Sequence, residues 1–234
     1  MGSENAKAGT RALIDALTNA SPVSRTAEFA DRKARARKAI EGVQPQMGYL
    51  DVIRAVLPRD GFFVEEVTQV GFTGRFGFPV YGPRQYVTCG YQDNLGFGYN
   101  TALGVKVANP DKAVISVSGD GGFMFGVQEL STAVHHGINV VAIVFNNCAY
   151  GNVLRDQQQA YQGRYIGADL TNPDFVRLGE SFGVHSRRAT SPASLRGVLE
   201  QALALDAPVL IEVPVEKDSE ASPWPFLHPA APKA

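Results

Sequence analysis

The stretch 114-VISVSGDGGFMFGVQELSTAVHHGINVVAIVFNNCAYG-151 decides the fold. It opens and closes on apolar runs, "VISV" and "VVAIVF", that do not alternate with polar residues. Runs of this kind suit strands covered on both faces, which is the condition inside a parallel sheet. Between them "GVQELSTAVHHG" has the spacing of a helix with its stop at Gly137. The interval from Gly122 to Phe145 is long enough for the crossover that two parallel strands require. Asp120 follows the first strand and Asn147 the second, so both are expected at the carboxyl edge of one sheet, where ligands of such sheets collect.

A carboxylate beside a carboxamide is a poor zinc site and a good beginning for magnesium, a hard octahedral ion that takes oxygen ligands. The remaining ligands would be a main-chain carbonyl, water and a phosphate. Gly121 and Gly122 fall where the crossover helix should begin. Free N–H groups and the positive end of a helix dipole favour a diphosphate there, and glycine lets the backbone approach it without a Cβ in the way. Gly119, Asp120, Gly121, Gly122 and Asn147 thus read as a site for a magnesium diphosphate.

Outward from this unit the alternation continues. "FFVEEV", "QYVTC" and "PVLIEVPV" are expected strands, and "GYQDNLGFGYNTALGVKVA" is a glycine-rich turn running into a helix. "NPDFVRLGESFG" and "SLRGVLEQALAL" are expected helices, and Met47, Leu50, Ile53, Ala55 and Leu57 mark the apolar face of another, stopped by Pro58 and Gly61. "GFTGRFGFPVYGPR" reads as a functional or mobile loop, and the four-proline tail "ASPWPFLHPAAPKA" as irregular. Strands alternating with helices imply an α/β fold, a doubly wound and mainly parallel sheet with helices on both faces. Residues 1–44 read as helix, break, helix, an extension ahead of a domain over 45–234 that carries the tail.

Composition narrows the function classes. The chain has 234 residues, 44% of them apolar, and a formal net charge of −1. That suffices for one large domain, with or without a small appendage, and gives no footprint for nucleic acid or an acidic membrane. The basic segment "RTAEFADRKARARKAI" reads as a solvated helix face. Cys89 and Cys148 lack metal or redox spacing and read as reduced core thiols of a cytoplasmic protein. No secretory leader is recognisable, and no apolar run reaches the ~18 residues of a membrane helix.

Gly119-Asp120-Gly121, the crossover interval and Asn146-Asn147 together resemble the diphosphate-binding signature of thiamine diphosphate enzymes. The resemblance extends over about residues 45–228 and is closest to the acetolactate synthase-like branch, as "YQGRYIGADLTNPDFVRLGESFGV" and "SPWPFLHP" also indicate. It implies that Asp120, Asn147 and the main-chain oxygen of Ala149 bind Mg2+, with Tyr150 and Gly151 against the diphosphate of the cofactor. It implies that Leu95, in a place where synthases of this branch usually carry Met, props the cofactor rings, with Asp93 and Asn94 beside it. The carbonyl of Asp93 would hold the aminopyrimidine. Val70 and Gly71 would belong to a further loop near the diphosphate. "GNVLRDQQQ" departs from the synthase pattern, placing Asn152 and Asp156 where an apolar acceptor pocket would be, so a polar substrate is expected there.

The implied function is that of the diphosphate-binding part of a 2-oxo acid decarboxylase or carboligase. The activating glutamate of this family sits on a separate pyrimidine-binding domain, usually of a neighbouring subunit. A partner domain or subunit and an oligomer are therefore expected, with a small 2-oxo acid as substrate. The first residues resemble the end of the family's middle domain and the linker after it; no flavin is expected. Two other readings stay open. A non-catalytic half would hold the cofactor without turnover. A nicotinamide-dependent oxidoreductase would use "GFGYNT" as its glycine turn, with Asp120 ~20 residues on as the ribose-binding acid. The turn, however, has Thr101 where the third glycine belongs, and that reading leaves Asn146-Asn147 unexplained.

Overall fold

The structure, a computed structural model, describes residues 5–18, 20 and 23–228, without the side chain of Tyr91. The chain divides into two units between Ala39 and Ile40. The first contains α1 (Ala6–Leu17) and nearly all of α2 (Thr26–Ile40). Asn5 caps α1 by accepting the N–H groups of Lys7 and Ala8. Neither helix buries a residue. Arg32–Glu28 and Arg35–Asp31 pairs run along α2 at helical spacing, so the basic segment is the solvated face expected of it.

The second unit holds the sheet. Its elements, in chain order, are α3 (Gln46–Val56), β1 (Phe62–Glu65), α4 (Gln69–Gly77), β2 (Tyr86–Thr88), α5 (Gly98–Ala108), β3 (Val114–Gly119), α6 (Asp120–Phe123), α7 (Glu129–His136), β4 (Val141–Asn146), α8 (Gly151–Ala160), α9 (Phe175–Ser181), β5 (His185–Arg188), α10 (Pro192–Ala204), β6 (Val209–Pro214) and α11 (Trp224–Leu227). The strands lie in the order β2-β1-β3-β4-β6-β5 and every pairing is parallel. This is the expected doubly wound sheet. Successive connections leave β1 and β3 in opposite directions, so the crevice at their carboxyl ends is the switch point of the topology.

The strands β1, β3, β4 and β6 bury both faces, as their unbroken apolar runs require. Phe63, Ile115, Val117, Ile143 and Ile211 face one core with α3 and α10. Val64, Val114, Ala142, Val144 and Leu210 face the other, with Tyr99, Phe123, Leu130 and Phe175. Adjacent residues of a strand point to opposite faces, so one strand serves both cores.

Several expectations need correction. The first half of the segment read as a loop, 71–77, is helical and belongs to α4, while 78–84 is irregular. Gly71, Gly74 and Gly77 recur every third residue of this helix. A Cβ on them would meet the Glu66 carbonyl oxygen at 2.2 Å, the Tyr86 hydroxyl at 2.9 Å and the Met47 sulfur at 2.5 Å, respectively. These glycines let the helix approach β1 and α3 closely instead of breaking it. The tail contains the single helical turn α11, with Pro223 as its N-cap. The crossover has two helices, because the chain turns at Met124–Gln128 between α6 and α7. Ala55 is exposed and outside the core. Cys89 is half-buried and Cys148 exposed, so neither is a core thiol. No described helix is long and apolar enough to cross a membrane.

Candidate functional site

A cleft with a cavity volume of about 240 Å³ opens at the carboxyl ends of β1, β3 and β4. Gly119, Asp120, Gly121, Gly122 and Asn147 line it, as do Ala149, Tyr150, Gly151 and Asn152 from the segment after β4 and Asp93 and Leu95 from the turn before α5. Val70, Gly71, Asn94 and Asp156 do not. Val70 is buried in the core, Gly71 packs on the end of β1, and Asn94 and Asp156 are exposed. Around Val70, the residues that reach the cleft are Val67, Thr68, Gln69 and Phe72.

Asp120 is 2% exposed although it lines the cleft. Its carboxylate accepts the Asn172 amide at 2.6 Å, and the backbone N–H groups of Gly121, Cys148 and Ala149 lie near it. Burial pushes its pKa up, and these donors pull the other way. At the end of β4 the two amides divide their work. Asn146 is structural: it donates to Glu212 at 2.8 Å and accepts from Asn172 at 2.9 Å and from the Cys148 N–H at 3.2 Å. Asn147 faces the cleft, where Glu220 also lies, and accepts the Ala149 N–H at 3.2 Å. Cys148, with φ of 54°, turns the chain sharply just after them.

The glycines form a cradle that side chains would fill. A Cβ on Gly121 would meet the Tyr150 ring at 2.3 Å, and one on Gly122 would meet Glu66 Oε1 at 2.1 Å. The bare backbone there faces the cleft because no other residue type fits. The donors around it are carboxylate and amide oxygens, and no cluster of three or more His, Cys, Asp or Glu exists among the described residues. That chemistry suits a hard cation held together with a diphosphate, and argues against a zinc site.

Sequence reading missed several groups. Glu220, just ahead of the tail, lines the cleft; burial pushes its carboxyl up to about 7, with Arg155 pulling it down. Arg155 donates to Gln69 at 2.8 Å and to the Glu220 carbonyl at 3.2 Å, joining α8, α4 and the segment that leads into the tail. Trp224 donates to Asn152 at 3.1 Å and its ring lies 5.2 Å from that of Phe72. The consecutive acids Glu65 and Glu66, both fully buried, end β1 just behind the cleft. An acid pair closing the apolar run "FFV" was the available signal, the same kind that marked Asp120. His135 and His136 are exposed on α7, as expected.

Residues 66–213 match the family described as "Thiamine pyrophosphate enzyme, C-terminal TPP binding domain". The chain belongs to the thiamine pyrophosphate enzymes. The cofactor of that family is thiamine diphosphate. The thiamine pyrophosphate domain is 37% identical over 149 residues to a probable acetolactate synthase large subunit of Methanococcus aeolicus, covering 63% of this chain and 25% of that relative. It is 35% identical over 150 residues to acetolactate synthase isozyme 2 large subunit of Escherichia coli (strain K12), covering 64% and 27%. A Rhodococcus jostii RHA1 thiamine diphosphate-dependent 4-hydroxybenzoylformate decarboxylase superposes with a TM-score of 0.69 at 31% identity, over 75% of this chain and 33% of that one. The chain thus spans about a quarter to a third of the length of these relatives.

Proposed function

We propose that this chain is the magnesium- and diphosphate-binding part of a thiamine diphosphate-dependent 2-oxo acid decarboxylase or carboligase, completed by a pyrimidine-binding domain or subunit. The observation that carries the reading is the meeting of Asp120 and Asn147 at neighbouring strand ends beside two glycines that admit no side chain. In this reading Asp120, Asn147 and the main-chain oxygen of Ala149 hold the Mg2+. Gly121, Gly122, Tyr150 and Gly151 lie along the diphosphate, with Val70 and Gly71 in the helical turn behind Thr68 and Gln69. Leu95 supports the rings and the Asp93 carbonyl receives the aminopyrimidine.

When bound, the cofactor supplies the carbanion chemistry that cleaves a 2-oxo acid. The protein's part is to anchor, orient and desolvate. Asp120 and Asn147 fix the position of the charge, the buried glycine backbone excludes water, and Glu220 and Trp224 wall the substrate side. Asn152 points the substrate preference toward polar groups, since it lines the cleft one helical turn before exposed Asp156. The first 44 residues fit the role of a linker from a preceding domain, and oligomers follow if the missing domain comes from a neighbour.

Carbon dioxide release from a panel of 2-oxo acids, with thiamine diphosphate and Mg2+ supplied, tests the reading. The expected result is no turnover by this chain alone and turnover once a pyrimidine domain is added. Cofactor binding that never yields turnover with any such domain would favour the non-catalytic half instead.

A further inference from the structure

The turn Asp93–Gly98 carries Leu95 into the cleft, yet it has little regular structure of its own beyond its contacts with neighbours. Two of those neighbours are the acids that end β1. Because successive strand residues face opposite ways, Glu65 and Glu66 leave the strand on opposite faces of the sheet. Both nevertheless act on this one turn.

Glu66 grips its far end. Its carboxylate accepts the N–H of Gly96 at 2.7 Å, the N–H of Gly98 at 3.0 Å and the Ser118 hydroxyl at 2.9 Å. It is fully buried, so every acceptor bond it makes comes from protein. Gly96 has φ of 82° and Gly98 would place a Cβ 2.8 Å from Glu66, so both glycines are needed for the backbone to reach this carboxylate. Glu65 grips the near end through an intermediary. It accepts Arg75 Nε at 3.1 Å and the Thr88 hydroxyl, while Arg75 presents both terminal nitrogens to the Asp93 carboxylate, at 2.5 and 3.2 Å. Asp93 itself sits at φ of 47°, a conformation that non-glycine residues seldom hold without such restraint.

We propose that Glu65 and Glu66 are positioning residues that preorganise the 93–98 turn, so that Leu95 and the Asp93 carbonyl are already in place before a cofactor ring arrives. The inference rests on the reading of the cleft given above and adds to it a separate support for the ring end of the site. The clamp touches the turn by hydrogen bonds and ion pairs, whereas it makes no hydrogen bond to Gly121 or Gly122, and of the two only a Cβ added at Gly122 would strike Glu66. Its loss should therefore separate two ligands that share a diphosphate.

The test is calorimetric titration of the full chain, in Mg2+, with thiamine diphosphate and in parallel with inorganic pyrophosphate. Glu66→Gln keeps the shape but sets an amide against a donor. The variant should lose about tenfold or more in thiamine diphosphate affinity, which at 1.4 kcal/mol per decade is roughly the cost of one unpaired buried donor. Its pyrophosphate affinity should change less than about threefold by the same measure. Arg75→Gln, at a half-buried position, should shift the two affinities in the same pattern and decides the matter if Glu66→Gln fails to fold. Faster hydrogen exchange at the Gly96 and Gly98 amides in Glu66→Gln would report the freed turn directly. Equal losses for both ligands, or no loss for either, would overturn the clamp. A wild-type chain that binds neither ligand would remove the reading of the cleft, and the clamp with it.

Discussion

β1 and β3 are neighbours, both are followed directly by acids at the same sheet edge, and burial pushes Glu66 and Asp120 alike above the usual carboxylate value. Their fates differ. Glu66 is covered by a turn from elsewhere in the chain and spends its oxygens on Gly96, Gly98 and Ser118. Asp120 is followed by two glycines, so nothing of its own loop covers it and it remains on the wall of the cleft. An acid at a strand end is therefore a ligand site only where the adjoining chain leaves room; otherwise the same side chain becomes a brace.

The strongest way to break this comparison is to remove the two acids in turn. Asp120→Ala should cost at least ~100-fold in Mg2+-dependent thiamine diphosphate affinity, about 2.7 kcal/mol, with the thermal unfolding transition retained. Glu66→Ala should act the other way round, lowering unfolding free energy by about 1–3 kcal/mol through the backbone donors it strands, as urea denaturation would read. Matching stability losses in the two variants would erase the distinction.

Gly122→Ala probes the place where brace and cleft touch. The added methyl carbon would fall 2.1 Å from Glu66 Oε1, so a loss of about 1–3 kcal/mol in stability from overpacking is expected. Binding should weaken with it. A variant as stable as wild type would mean that Glu66 is not fixed.

A pH series sharpens the role of Glu65. Burial raises its carboxyl above the ordinary value of about 4.3, with the Thr88 hydroxyl and Arg75 opposing. A raised acid binds more protons folded than unfolded, so its contribution is fully present below the unfolded value and lost as pH rises through the folded one. Glu65→Gln removes that loss while leaving Arg75 its Asp93 partner. Its stability should therefore gain on wild type as pH is raised above about 4.3. Parallel profiles would show that Glu65 is not shifted. The smallest effect is expected at exposed Asp156, where Asp156→Ala should change unfolding free energy by less than about 0.5 kcal/mol.

The sequence made the diphosphate half of the site legible and much of its surroundings illegible, for physical reasons. β3, the crossover and β4 announce themselves because strands buried on both faces must be continuously apolar, and glycines beside an acid have few other uses. The helix α4 was hidden because Gly71, Gly74 and Gly77 look like breakers until one sees what their missing side chains would strike. β5 is a short edge strand of polar residues, "HSRR", without an apolar run to betray it. Glu220 reaches the cleft, and Trp224 reaches Asn152 on its wall, because this segment is tied down far away in sequence, with Ala221 N–H donating to the Gln44 carbonyl and Gln46 donating to the Ala221 carbonyl at 2.6 Å. Bonds of such sequence separation leave no local pattern.

We propose above that this cleft binds thiamine diphosphate through a magnesium ion held by Asp120 and Asn147. Calorimetric titration of the wild-type chain with thiamine diphosphate, first in Mg2+ and then after removal of divalent cations with a chelator, tests it most directly. The account predicts saturable binding at one site per chain that disappears on chelation and returns with Mg2+. Binding of equal strength without any divalent cation, or none in its presence, would contradict it.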